Sequence, residues 1–98
     1  MIQIRITGEA VQDSVEGINF YEAHEAGAGD YFASCLKGDI AGVRATGGIH
    51  RETLGFHRAL SRVFPYAIYY RHTGKQVAII AVIDTRRDPE WIRNRLKR

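Results

Sequence analysis

Arginine is the residue type with most chemical potential in this 98-residue chain, and it is concentrated in one half. Residues 44 to 98 carry twelve bases against four acids (Glu52, Asp84, Asp88, Glu90), a balance of +8, and ten of those bases are arginine. Residues 1 to 43 carry Arg5 and Lys37 against seven acids, a balance of −5. A guanidinium is planar, permanently charged and able to grip a carboxylate or phosphate through two parallel hydrogen bonds, so an arginine-rich half favours an acidic partner met at defined points. An ordinary solvated surface is the alternative. The other reactive residue types form weaker patterns. His24, His50, His57 and His72 have no short ligand spacing, so no metal site is expected. Gly27-Ala-Gly29 lacks the third glycine and the preceding strand of a dinucleotide loop, and no cofactor is expected. Cys35 lies next to Leu36 with nothing nearby to stabilise a thiolate, which makes it a core residue. Tyr66, Tyr69, Tyr70 and Trp91 could stack on bases or fill a core.

These side chains need a scaffold, and apolar periodicity predicts one. Ile2, Ile4 and Ile6 alternate with polar residues, the period of a half-buried strand ended by Gly8. Val11, Val15, Ile18 and Tyr21 recur every three or four residues, which predicts a helix from Glu9 to about Glu25 with acids on its other side. Ala26-Gly-Ala-Gly29 ends it. Asp30 is the expected cap of a second helix whose stripe is Phe32, Leu36, Ile40 and Val43, closed by Gly47 and Gly48. So short a connection implies an antiparallel helical hairpin. Strands are predicted over Phe56 to Val63, Tyr66 to His72 and Val77 to Ile83, with Thr73-Gly74 as the turn between the last two. The last strand is apolar at every position, so it should be covered on both faces. Asp88 as N-cap, Pro89 and Glu90 start a final helix with Trp91, Ile92 and Leu96 on its apolar side and Arg93, Arg95, Lys97 and Arg98 toward its end. The expected fold is α+β in the order β-α-α-β-β-β-α, an antiparallel sheet packed against a helical hairpin and a carboxyl-terminal helix, one domain over residues 1–98.

Composition limits the context. With 45% hydrophobic and 26% charged residues the chain should fold around one modest core. A single cysteine requires no oxidising compartment, no secretory signal opens the chain, and no apolar run approaches ~20 residues. A cytoplasmic, water-soluble protein without a membrane partner is the expectation.

The stretch Arg62-Val-Phe-Pro-Tyr-Ala-Ile-Tyr-Tyr-Arg71, then Val77-Ala-Ile-Ile-Ala-Val-Ile83, then Arg86-Arg-Asp-Pro-Glu-Trp91, resembles the carboxyl half of the ParE/RelE toxin family. Phe20-Tyr-Glu22, Gly27-Ala-Gly29 and Phe32 resemble its amino half, so the similarity spans nearly the whole chain. Gly8, Gln12 and Gly17 make the first strand and helix less regular than the family pattern. The resemblance implies the toxin of a toxin-antitoxin pair of plasmid-stabilisation type, causing growth arrest and neutralised in a hetero-oligomer with a ParD-like antitoxin that wraps its surface. ParE-like members inhibit DNA gyrase, whereas RelE-like members enter the ribosome and cut messenger RNA.

Cleavage by 2′-hydroxyl attack needs a base, cations for the phosphorane charge and an acid for the leaving oxygen. Where the resemblance places a middle-strand arginine and lysine, this chain has Ala67 and Leu60, and at the helical tyrosine stand Trp91 and Ile92, which move no proton. The ParE-like reading, binding without catalysis, is therefore preferred. Its expected contact residues are Arg86, Arg87, Trp91 and Arg95, with the antitoxin held by Val15, Ile18, Tyr21, Phe32 and Leu36. The ribonuclease alternative, metal-independent, would use His57, Arg58 and Arg86. A basic binding module without toxicity is the third reading.

Overall fold

The computed structural model describes residues 2–46 and 50–97. Its elements are β1 (Gln3–Ile6), α1 (Gly8–His24), α2 (Ala28–Thr46), β2 (Glu52–Thr53), β3 (Phe56–Leu60), β4 (Tyr66–Thr73), β5 (Gln76–Asp84) and α3 (Pro89–Leu96). The five strands form one sheet in the order β1-β5-β4-β3-β2, antiparallel except for the parallel pair of β1 and β5. The α+β order of the sequence reading holds, with one strand added. β2 is only two residues long and pairs with β3 through a tight turn, too short to carry a periodic signal.

Two connections differ from expectation in how their polar groups are satisfied. Asp30 does not cap α2. It lies inside the first turn, and the carboxylate of Glu22 reaches from α1 to accept from the amides of Gly27 at 3.1 Å and Gly29 at 3.0 Å. These are two of the donors that a helix start leaves without an intrahelical partner, so one side chain stitches the hairpin shut. Strand β3 ends at Leu60 rather than Val63, because the Ser61 hydroxyl takes the amides of Val63 and Phe64 into a local turn. The β4–β5 turn is Gly74-Lys75, one residue later than predicted, with Gly74 at φ 58°. Gly47 and Gly48, the expected end of the second helix, lie outside the described residues, as does Arg98.

The sheet has an inner face under the α1–α2 hairpin and an outer face on which α3 sits. Phe32, Leu36 and Val43 of α2 meet Ile68, Tyr70, Val77, Ile79 and Val82 on the inner face. Leu96 and Ile92 of α3 meet Ala67, Tyr69, Ala81 and Ile83 on the outer face, together with Phe56. The uniform apolarity of β5 is explained by these two cores and by a bulge. Tyr69 pairs with Ala81 but Tyr70 with Ile79, so Ile80 is the extra residue and the alternation of faces changes phase across it. Gly17, which looked irregular in α1, is a close approach: a Cβ there would lie 2.7 Å from the Phe32 ring.

Strand β1 runs along β5 only as far as Ile79. Past that point side chains take over the edge. The Thr7 hydroxyl donates to the Ile80 carbonyl at 3.3 Å, and the Asp13 carboxylate accepts from the Val82 amide at 3.0 Å. Arg95 of α3 then donates to Asp13 at 2.7 Å and to the Ile80 carbonyl at 3.4 Å. An exposed strand edge is a template for unwanted pairing, and this network of three side chains closes it.

Candidate functional site

Where β1 stops, α1, the end of β5 and the start of α3 enclose a groove of about 370 Å³. Its floor is aromatic. Tyr21 stacks on Phe32 at 5.1 Å between ring centres, and Phe32 meets Tyr66 edge-on at 5.0 Å, with the Tyr66 hydroxyl donating to Asp39 at 2.8 Å. Burial pushes the Tyr66 hydroxyl far above its usual pKa, so it stays protonated as that donor. Tyr21 is also shifted upward, chiefly by burial.

The opposite wall comes from the loop before α3 and from its first turn. Asp88 caps α3 by accepting from the Glu90 amide at 3.2 Å, and Pro89 occupies the first turn, which fixes the direction in which Trp91 projects. The Arg87 guanidinium lies 3.9 Å from the centre of the Trp91 ring, a cation–π contact that holds the arginine against the groove without consuming its hydrogen-bond donors. Arg86 behaves differently. It donates to both oxygens of Asp84, Nε at 3.0 Å and Nη2 at 2.7 Å. This grip holds the Asp84 carboxyl below its ordinary range, first through the Arg86 hydrogen bond, and raises the Arg86 guanidinium in turn. Arg86 remains 60% exposed, so its unused edge still faces solvent.

Of the expected contact residues, the structure brings Arg87 and Trp91 together in this groove and places Arg86 just beyond it. Arg95 must be removed from the set. Its side chain is 5% exposed and bound to Asp13, so it presents nothing to a partner. Among the residues expected to hold an antitoxin, Tyr21 and Phe32 line the groove and Val15 is exposed on α1. Ile18 packs half-buried against the inner core. Leu36 belongs wholly to that core at 6% exposure, and Phe32 offers only a ring edge at 3%. Both alternate with polar residues at helical spacing, and the same spacing that suggested a docking stripe is the one that packs α2 on the sheet.

The residues of the ribonuclease alternative do not converge. Neighbours on a strand point to opposite faces. His57 lies on the inner face, its Nδ1–H donating to the His50 carbonyl at 2.8 Å and its ring stacked on Tyr70 at 5.1 Å. Arg58 lies on the outer face and donates to the Tyr69 hydroxyl at 3.2 Å. Arg86 sits at the far end of β5 on Asp84.

Sequence reasoning did not name as a site the basic surface on the outer face that borders the α3 core at Phe56 and Tyr69. Arg5 and Arg71 are both register partners of Ala78, one row across the sheet. Arg71 lies 4.7 Å over the Phe56 ring, and Arg58 stands beside Tyr69. The signal was available, since Tyr69 and Arg71 are two residues apart on one strand and so share a face.

No family model and no curated protein matches this sequence. Among solved structures, a chain of the "Chromosomal ParDE TA system from P. aeruginosa" superposes with a TM-score of 0.64 at 18% identity, over 86% of this chain and 96% of that one. The fold expected from the sequence resemblance is thus the fold found, β-sheet, helical hairpin and terminal helix in the same arrangement.

Proposed function

We propose that this protein is the toxin of a toxin-antitoxin pair and acts by occupying its target, DNA gyrase, rather than by catalysis. The ParE-like fold supports the first part. The observation that carries the mechanism is that one groove unites Tyr21 and Phe32, assigned from sequence to antitoxin binding, with Arg87 and Trp91, assigned to target binding. A segment of antitoxin lying in this groove covers Arg87 and Trp91, so neutralisation is direct competition for one surface. Apolar side chains of that segment would enter between Tyr21 and Trp91, and an acidic residue would meet Arg87, whose donors remain free above the indole.

Arg86, Arg87 and Trp91 form the target contact in this reading. The arrangement lends nothing to ribosome-dependent cleavage, because the residues assigned to base and cation roles sit on opposite sides of a strand. Expression of the chain alone should arrest growth, and co-expression of its cognate antitoxin should restore it. Purified protein should inhibit gyrase supercoiling, and the double variant Arg87→Glu, Trp91→Ala should lose that inhibition while remaining folded. Intact supercoiling at micromolar excess of the wild-type protein would remove gyrase as the target, and new cuts in translated messages would replace binding with cleavage.

A further inference from the structure

The turn between β2 and β3 has two central residues, Leu54 and Gly55, because Thr53 pairs directly with Phe56. Both take positive φ, 55° and 84°. This is the mirror-image turn that suits the twist of a two-residue hairpin, and its first position favours asparagine, aspartate or glycine, whose side chains tolerate or avoid the left-handed clash between Cβ and the carbonyl. Leucine does neither. It is the one non-glycine residue with positive φ among the described residues, and it is half exposed, with 50% of its surface open. The position thus combines a strained backbone with a large apolar side chain held out in water. Neither property helps the fold, and a residue kept in such a state points to a use outside it.

Its surroundings indicate what it meets. Phe56, at the other end of the turn, carries Arg71 over its ring, and Arg58 lies two residues along the same face. Arg51, immediately before β2, accepts from the Arg58 amide through its carbonyl and is exposed. The acid nearest in sequence, Glu52, pairs with His57 of the inner face. Leu54 therefore lies, half exposed, in a turn at the border of an arginine-bearing surface. We infer that Leu54 is an anchor for a protein partner, inserted into an apolar recess ringed by carboxylates on the toxin's target, with Arg51, Arg58 and Arg71 meeting that ring. A single leucine favours a recess in a protein over a lipid surface, since the other exposed aliphatic residues of β3 and its following loop, Leu60 and Val63, lie at the opposite end of that strand. The inference rests on the toxin reading above and adds to it a second point of contact, separate from the groove.

Strain and contact make opposite demands on residue 54, so one substitution tests both. Leu54→Asn should raise the thermal midpoint by about 4 °C, as relief of a left-handed leucine does in a domain of this size. At matched expression it should weaken growth arrest about tenfold in surviving cells, the scale of losing one anchoring side chain. Leu54→Met, which keeps an apolar side chain, should arrest growth as the wild type does, and the antitoxin should still be captured by all three proteins. Equal toxicity of Leu54→Asn and wild type overturns the anchor while leaving the toxin reading intact. An unchanged or lower midpoint for Leu54→Asn overturns the strain argument. If the wild type itself does not arrest growth, the toxin reading falls and the anchor with it. Sedimentation of the wild type, but not Leu54→Asn, with anionic phospholipid vesicles would replace the protein partner by a membrane surface and overturn the inference.

Discussion

Among the charged side chains, Arg95 and Asp13 have the largest energetic consequence, because both leave water, with side chains 5% and 12% exposed and 2.7 Å apart. Removing one partner of a buried pair strands the other, so Arg95→Ala should destabilise the fold by about 3–5 kcal/mol in urea denaturation. The pH dependence is distinctive. Burial pushes the Asp13 carboxyl above its ordinary range, against the opposing pull of the Val82 amide and of Arg95. A carboxyl raised in the folded state contributes stability that is complete below the unfolded pKa and is lost as pH rises through the folded one. In Arg95→Met the opposing cation is gone and the carboxyl is raised further, so its stability relative to wild type should fall as pH rises above the ordinary carboxylate range, as denaturation midpoints across a pH series would show. A wild-type-like profile would mean that Asp13 finds another partner. Arg95 could have been placed from sequence in part: it lies three residues after Ile92 and next to Leu96, on the apolar side of α3. Its partner 82 positions earlier has no local signature.

At the scale of elements, what was legible follows the length of the pattern. Four apolar residues at helical spacing in each of α1 and α2, and seven apolar residues in β5, made both helices and this interior strand legible. The two-residue β2 offers no period to detect, and the bulge at Ile80 is hidden because β5 is apolar on both sides of it. The helix entry differs from the sequence reading for a physical reason: Asp30 is a good capping type, but α2 starts two residues before it, where Glu22 of the neighbouring helix accepts from the amides of Gly27 and Gly29. Glu22→Ala should therefore destabilise the hairpin by about 1 kcal/mol, the usual effect of losing a cap, whereas Asp30→Ala should do far less. Gly17→Ala sets two effects against each other. Alanine improves helix propensity by about 1 kcal/mol, and overpacking costs about 1–3 kcal/mol. Phe32 is held by Tyr21, Phe64 and Tyr66 and has little room to yield to a carbon 2.7 Å away, so the net change should be a loss visible as a lower melting midpoint.

For the molecule as a whole, the candidate site was legible in its residue types but not in its grouping. Arg87, Trp91 and Tyr21 were all singled out, yet their union in one groove depends on β1 ending at Ile6, opposite Ile79 of β5, which leaves room between α1 and α3. The opposed charges of the two halves of the chain appear as an acid-rich helical layer and an arginine-bearing outer sheet face. Association with an acidic partner should therefore slow and weaken with added salt, and Arg58→Ala combined with Arg71→Ala should flatten that salt dependence without lowering the melting midpoint by more than a few degrees. The bond from Arg95 to Asp13 has one more consequence. A polypeptide made from its amino end cannot form this clasp until residue 95 has left the ribosome, by which time α1 and the strands have already emerged. The wall bearing Arg87 and Trp91 is then the last part of the groove to be secured, so the groove is completed only after α1 and all five strands have emerged.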